Sequence, residues 1–272
     1  MADEKLSGLD MGPTIEWYKQ AGVSISSSLK NKPLPYNVES SQYIELTEQE
    51  LAKLFYLLPK NARKRSILQK IIGQPVTYFS KESTSERPMP TTSQHESLSP
   101  TAIIPSFTDY TPWNEQKRPA ANIWLYQLPK DAVPEDVRKI ILSEGFIHEL
   151  GHTLVQPALY INDYTLKMPD GKLVNGLESL LQFAELAEKH APISHYASTY
   201  RGKDNRFESD NLNYNLKTAI SEELCETIAA YYLGFAYCGD DARSRSPFAD
   251  RPEIKEYVRN FLNAELVKKE DQ

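Results

Sequence analysis

The sequence predicts an α+β protein, because segments of strand character come first along the chain and longer helical segments follow. The chain has 272 residues, of which 40% are hydrophobic, which is enough apolar material for one large domain or two small ones. We expect a polar N-terminal extension over residues 1–35 and a single domain over residues 36–272.

The first predicted helix lies in "YIELTEQELAKLFYLL" (43–58), which begins as a short strand. Thr47 and Glu50 have the spacing of a capping box, in which each side chain accepts a hydrogen bond from the backbone N–H of the other residue. Three leucines would share one face of this helix: Leu51, Leu54 and Leu58.

Three strands are expected next, at 74–80, 101–107 and 121–128, where β-branched and aromatic residues cluster. Between the first two lies "KESTSERPMPTTSQHESLSP" (81–100), which is dominated by Ser, Thr, Pro and charged residues. Such a composition buries too little apolar surface to offset the entropy of ordering, so we expect a flexible insertion there.

The second half of the chain is predicted to be helical. Pro134, followed by Glu135 and Asp136, has the signature of a helix N-terminus. This helix should have a break near Gly145 and should stop before Pro157. Further helices are expected at 175–190, 216–234 and 252–269.

The segment "GFIHELGHTLV" (145–155) within the first of these helices carries two of the five histidines. His148 and His152 are four residues apart, so both imidazoles project from the same face, as two ligands of a tetrahedral Zn²⁺ require. Glu149 is offset by one residue, which suits a general base acting on water at the metal. The same pattern also fits two core histidines that are held by hydrogen bonds.

A catalytic zinc needs a third protein ligand. A third histidine in an HExxHxxGxxH continuation is excluded, because the glycine and histidine positions hold Val155 and Ala158. The other solution is a carboxylate, which is costly to bury among apolar neighbours unless a metal compensates its charge. The segment "AISEELCETIAAYYLG" (219–234) supplies three candidates on one amphipathic helix: Glu222, Glu223 and Glu226.

The motif from His148 to His152, followed by a helix with E-x-x-x-E, resembles the gluzincin class of zinc metallopeptidases. Within that class the chain is similar to the metalloprotease domain of anthrax lethal factor and to related bacterial toxin and effector proteases. The resemblance covers about residues 100–272. It implies a zincin-like fold, with a small mixed sheet and an active-site helix followed by a mainly helical C-terminal part.

Two further segments resemble that group: "ISHYAST" (193–199) and "EELCE" (222–226). By this match Glu222 would be the third zinc ligand, Glu226 would orient a ligand histidine, and Tyr196 would stabilise the oxyanion. Tyr214 remains an alternative to Tyr196, because 25 residues separate Tyr196 from Glu222 where the group usually has only a few. Glu223 and Glu226 remain alternatives to Glu222 as the ligand.

The segment "TPWNEQKRPAANIWLYQL" (111–128) resembles the loop and edge strand that precede the zinc helix in this group. An extended substrate peptide would pair with that edge strand.

The function that the resemblance implies is that of a zinc-dependent endopeptidase, such as a bacterial effector or toxin-like protease. It would hydrolyse peptide bonds of a protein substrate through a zinc-bound water activated by Glu149. An aminopeptidase with the same zinc chemistry is an alternative, although none of the four methionines lies in the G-x-M-E-N stretch typical of that subclass. A catalytically inactive interaction module of the same fold is another, although HExxH is intact.

Charge and hydropathy limit the partners that we expect. The net charge of −6 provides no basic field for nucleic acid. The N-terminus lacks a cationic segment followed by an apolar core, and no apolar run reaches the roughly 18 residues of a membrane helix. We expect a monomer without a signal peptide or membrane span, which is cytoplasmic or exported by a signal-less route and binds a protein or peptide substrate.

Overall fold

A computed structural model describes residues 24–26, 45–74, 106–110, 120–126, 128, 133–207, 214–236 and 246–267. Within these residues the strands are β1 (Ser24–Ser26), β2 (Leu68–Gln74), β3 (Ser106–Tyr110), β4 (Ala121–Tyr126), β5 (Thr165–Lys167), β6 (Leu173–Asn175) and β7 (Glu265–Leu266). The helices are α1 (Glu48–Leu57), α2 (Lys60–Arg65), α3 (Glu135–Tyr160), α4 (Gly176–Ala187), α5 (His195–Ser198), α6 (Tyr214–Leu233) and α7 (Pro252–Asn263). The insertion predicted at 81–100 lies outside the described residues.

The chain divides into two compact units. The sheet unit contains the described residues among 24–54 and 68–149, and the helical unit contains residues 55–67 and the described residues from 150 to 267. Helix α3 begins in the sheet unit and ends in the helical unit. Mostly helical structure with small sheets agrees with the predicted α+β class.

The sheet unit is built on a mixed four-stranded sheet in the order β1-β2-β4-β3. Strands β1, β2 and β4 are parallel, and β3 pairs antiparallel with β4. Because β4 lies between β2 and β3, the expectation of an edge strand within 111–128 is wrong. Among the described strands, β3 is the edge strand next to β4. Strand β1 falls within the predicted N-terminal extension at 1–35.

Two strand predictions fall mostly outside the described residues. Strand β2 ends where the strand predicted at 74–80 begins, and residues 75–80 lie outside the described part of the chain. Strand β3 begins at Ser106, near the end of the segment predicted at 101–107. Strand β2 was missed because Lys70 and Gly73 dilute its strand character, whereas pairing with β1 and β4 on both sides supports it in the fold.

Helix α1 confirms the predicted capping box. The backbone N–H of Thr47 donates to Glu50 Oε2 at 2.6 Å, and the backbone N–H of Glu50 donates to Thr47 Oγ1 at 3.1 Å. The three leucines of the predicted apolar face are all buried: Leu51, Leu54 and Leu58. The short strand expected before this helix does not form over residues 45–47.

Helix α3 is longer than predicted, and both predicted interruptions are wrong. It runs through Gly145 and Pro157 to Tyr160. A proline cannot donate to the carbonyl four residues before it, so Pro157 deprives the Thr153 carbonyl of its helical partner. That carbonyl instead accepts a hydrogen bond from the backbone N–H of Ile67 at 3.3 Å, which replaces the lost interaction.

The helical unit confirms the three predicted C-terminal helices as α4, α6 and α7. Helix α6 ends before Gly234, whose φ of +77° is the left-handed conformation typical of a residue that terminates a helix. Helix α7 ends at Asn263, six residues before the predicted end at 269, because the chain turns into β7. Strand β7 pairs with β5, and the small antiparallel sheet has the order β6-β5-β7.

Within the described part of the chain, no helix combines the length and the apolar character that a membrane crossing requires.

Candidate metal centre

Helix α3 carries both histidines of the HELGH motif, and both are buried. The exposed fraction of His148 is 8% and that of His152 is 6%. The neighbouring apolar side chains on α3 are also buried: Phe146, Ile147, Leu150 and Leu154. The two imidazoles therefore lie in an apolar environment, where they need specific polar partners.

Glu222 on α6 meets these two histidines. One ligand atom from each of His148, His152 and Glu222 lies within 4.8 Å of the others. The distance from His152 Nε2 to Glu222 Oε1 is 3.5 Å. Two ligands of a tetrahedral zinc, each about 2.0–2.1 Å from the ion, lie about 3.4 Å apart, so this pair fits a shared zinc.

The ring of His152 is oriented by a neighbour of Glu222. Ser221 Oγ lies 3.1 Å from His152 Nδ1, and both groups are buried. This hydrogen bond uses the Nδ1 atom of the ring, while the other ring nitrogen, Nε2, faces Glu222. Partners of this kind hold metal-binding imidazoles in one orientation. The resemblance assigns such a role to Glu226, whereas Ser221 was not a candidate from the sequence.

Glu223 has a different partner from Glu222. Its carboxylate accepts two hydrogen bonds from Arg201, at 2.6 Å from Nε and 2.7 Å from Nη2. Both side chains are buried, and burial raises the pKa of the Glu223 carboxyl while the guanidinium acts in the opposite direction. A bidentate ion pair occupies Glu223, which leaves it poorly placed to serve as a metal ligand.

Helices α3 and α6 approach each other closely at Gly151. A Cβ atom at Gly151 would lie 3.0 Å from Cys225 Sγ and 3.1 Å from Cys225 Cα. At these distances Cys225, which is buried, would have to move by a few tenths of an ångström to accommodate any larger residue. His152 directly follows Gly151, and Glu222 lies one turn before Cys225, so this close contact is adjacent to two residues of the cluster.

Glu149 directly follows His148 and is buried, but it does not belong to the cluster of potential metal ligands. Its exposed fraction is 6%. Its Oε1 accepts a hydrogen bond from Ser106 Oγ at 3.0 Å, and its Oε2 accepts one from Thr108 Oγ1 at 2.5 Å. Both hydroxyls belong to strand β3, and neither was singled out from the sequence.

Tyr196 on α5 lies next to a second tyrosine. The hydroxyls of Tyr196 and Tyr200 are 2.8 Å apart. Burial, followed by the negative charge of Glu222, raises the pKa of each phenol above its ordinary value. Both phenols are therefore protonated at neutral pH and able to donate. The side chain of Tyr214, the alternative considered from the sequence, lies outside the described residues.

Arg201 holds the end of this tyrosine segment. Besides its pair with Glu223, its Nη1 donates to the Asn205 carbonyl at 2.8 Å, and its guanidinium carbon lies 3.8 Å from the centre of the Phe207 ring. Because Arg201 follows Tyr200 and Glu223 follows Glu222, the ion pair fixes the tyrosines relative to α6.

Comparison with known proteins returns no match. No protein-family model, no curated protein and no solved structure matches the chain. The functional proposal below therefore rests on the motif residues and on the geometry of the cluster formed by His148, His152 and Glu222.

We expect Glu222→Ala to lose stoichiometric zinc and Glu226→Ala to keep it, because only Glu222 lies with the two histidines. Metal analysis of the purified variants measures this difference. The two glutamates lie one turn apart on α6, so each variant controls for removal of a carboxylate from that helix. If only Glu226→Ala lost zinc, the ligand would be Glu226 and the assignment to Glu222 would be wrong.

We expect Gly151→Ala to weaken zinc binding about 10-fold, as loss of an outer support of a metal site typically does. The added methyl group displaces Cys225 and with it the neighbouring Glu222. Competition with a chelator measures the affinity. Adding Cys225→Ala should recover part of the loss, because Sγ is the nearest atom to the new methyl group. An unchanged affinity in Gly151→Ala would show that this contact does not control the site.

Proposed function

We propose that the protein is a zinc-dependent endopeptidase that hydrolyses peptide bonds of a protein substrate. The observation that carries the proposal is the approach of ligand atoms from His148, His152 and Glu222 to within 4.8 Å. Two imidazoles and one carboxylate form a ligand set typical of catalytic zinc, and three protein ligands leave one position open. When bound, Zn²⁺ supplies Lewis acidity that lowers the pKa of a coordinated water and polarises a carbonyl.

Glu149 is the proposed general base. Its carboxylate takes a proton from the attacking water, whose oxygen forms the new bond to the peptide carbonyl carbon. When the C–N bond breaks, the same carboxyl gives that proton to the leaving nitrogen, so the products are a carboxylic acid and an amine. The burial of Glu149 and its two hydroxyl partners support this role, because they place one carboxylate in a defined orientation.

Tyr196 is the proposed donor to the oxyanion that develops on the carbonyl oxygen. Its hydroxyl is protonated and lies beside that of Tyr200. The two hydroxyls are within hydrogen-bond distance, and either of them can act as the donor. Such a chain of hydroxyls polarises the terminal donor.

The order of the sheet supports a zincin-like arrangement for this proposal. An antiparallel edge strand, β3, lies beside parallel strands, and helix α3 follows β4 in the chain. Strand β3, rather than β4, is then the strand with which an extended substrate peptide would pair. Pairing of this kind uses backbone hydrogen bonds at the free side of an edge strand.

We expect Glu149→Gln to retain zinc and its thermal midpoint while losing turnover by about 10²–10⁴-fold, because the amide cannot take a proton from water. Cleavage of an unstructured protein with a blocked N-terminus measures turnover and separates an endopeptidase from an aminopeptidase. Loss of zinc in this variant would make Glu149 a ligand. Turnover at the wild-type rate with zinc bound would refute the proposed mechanism.

We expect Tyr196→Phe to lower kcat by about 10²-fold, the usual effect of removing one oxyanion donor. Tyr200→Phe removes only the neighbouring hydroxyl and should cost less, and Tyr214→Phe should leave kcat near wild type. Steady-state kinetics on the zinc-loaded variants distinguish the three tyrosines. A larger loss in Tyr200→Phe or Tyr214→Phe would move the donor role to that residue.

A further inference from the structure

Strand β3 places two hydroxyl side chains on an otherwise apolar face of the sheet. Ser106 pairs with Leu125 and Thr108 pairs with Ile123 in the antiparallel ladder. Residues directly opposite each other in such a ladder point to the same face. Leu125 is 2% exposed and Ile123 is fully buried. Hydroxyls on this face need partners inside the protein, because a buried polar group without one is costly.

Glu149 is the partner of both hydroxyls. Each carboxylate oxygen accepts from one of them, Oε1 from Ser106 and Oε2 from Thr108. Two donors at alternate positions of one strand restrain the rotation of the carboxylate about its terminal bond. Each oxygen still has a second lone pair with which it accepts a hydrogen bond from water. The restraint therefore orients the carboxylate without blocking it.

We propose that Ser106 and Thr108 are positioning residues that hold the Glu149 carboxylate in its catalytic orientation. This inference rests on the proposed peptidase function, in which Glu149 is the base. Thr108 makes the shorter contact, at 2.5 Å, and is itself buried, so it is the principal restraint. The longer contact from Ser106, at 3.0 Å, supports the other oxygen.

The geometry separates this role from substrate binding. A substrate peptide would use the backbone at the free side of β3, whereas the two hydroxyls point to the face of the sheet that holds Glu149. Removing a hydroxyl should therefore change kcat and leave KM nearly unchanged. A hydroxyl with a purely structural role would change neither at a temperature at which the protein stays folded.

The test compares Thr108→Val, Thr108→Ser and Ser106→Ala with the wild type and Glu149→Gln in one protein-cleavage assay. We expect Thr108→Val to lose about 10-fold in kcat, since a hydrogen bond to a charged group is among the stronger ones and misplaced groups react slowly. KM and zinc content should stay within about twofold of wild type. Ser106→Ala should lose less, and Thr108→Ser should restore kcat because it keeps the hydroxyl.

A thermal double-mutant cycle provides a readout that does not depend on turnover. Thr108→Val should lower the thermal midpoint in the wild-type background by on the order of 3–6 °C more than in the Glu149→Ala background, where no carboxylate remains to lose a partner. Additive midpoints would overturn the inference, because the two side chains would then not interact in solution.

The outcomes also separate this inference from the function on which it rests. Full turnover in Glu149→Gln would refute both the proposed function and this inference. Loss of turnover in Glu149→Gln with full kcat in Thr108→Val would remove this inference alone. Loss of kcat in both Thr108→Val and Thr108→Ser would also count against it, because the retained hydroxyl would then have no effect.

Discussion

The candidate metal centre depends on the close packing of α3 against α6 at Gly151. A Cβ atom there would lie 3.0 Å from the thiol of Cys225, which is closer than most side-chain contacts in proteins. One turn before Cys225, α6 presents Ser221 to His152 Nδ1 and Glu222 to His152 Nε2. The glycine in HELGH thus allows α6 to pack closely against α3, one turn away from the carboxylate that meets the imidazole.

Three carboxylates of this region have three different kinds of partner, and each kind suits a different role. Glu223 is neutralised by a bidentate guanidinium, which suits a structural ion pair. Glu149 accepts hydrogen bonds from two neutral hydroxyls, which suits its proposed role as a base. Glu222 lies 3.5 Å from an imidazole nitrogen, beyond a good hydrogen bond and at the spacing of two ligands around one cation.

Two features that depend on residues close together in the chain were predicted correctly from the sequence. The capping box of α1 and the pairing of the two histidines on α3 need only residues three or four apart. The helix does not stop at Pro157 as predicted. Pro157 leaves the Thr153 carbonyl without its helical donor, and the backbone N–H of Ile67, which is distant in the chain, donates to that carbonyl instead. The partners of Glu223 and Glu149 lie 22 and about 40 residues away, and no periodicity reveals such pairings.

The edge strand was predicted within residues 111–128, and this prediction was wrong for the same reason: strand pairing is not a local property. Both β3 and β4 are short strands, and only their hydrogen-bonded partners decide which strand is at the edge. Among the described strands β3 is at the edge, so one side of its backbone has no strand partner there, while its hydroxyl side chains donate to Glu149. In the proposed peptidase, a peptide bound along β3 would lie against the strand whose hydroxyls donate to Glu149, the proposed base, so the scissile bond and the carboxylate would share one rigid support.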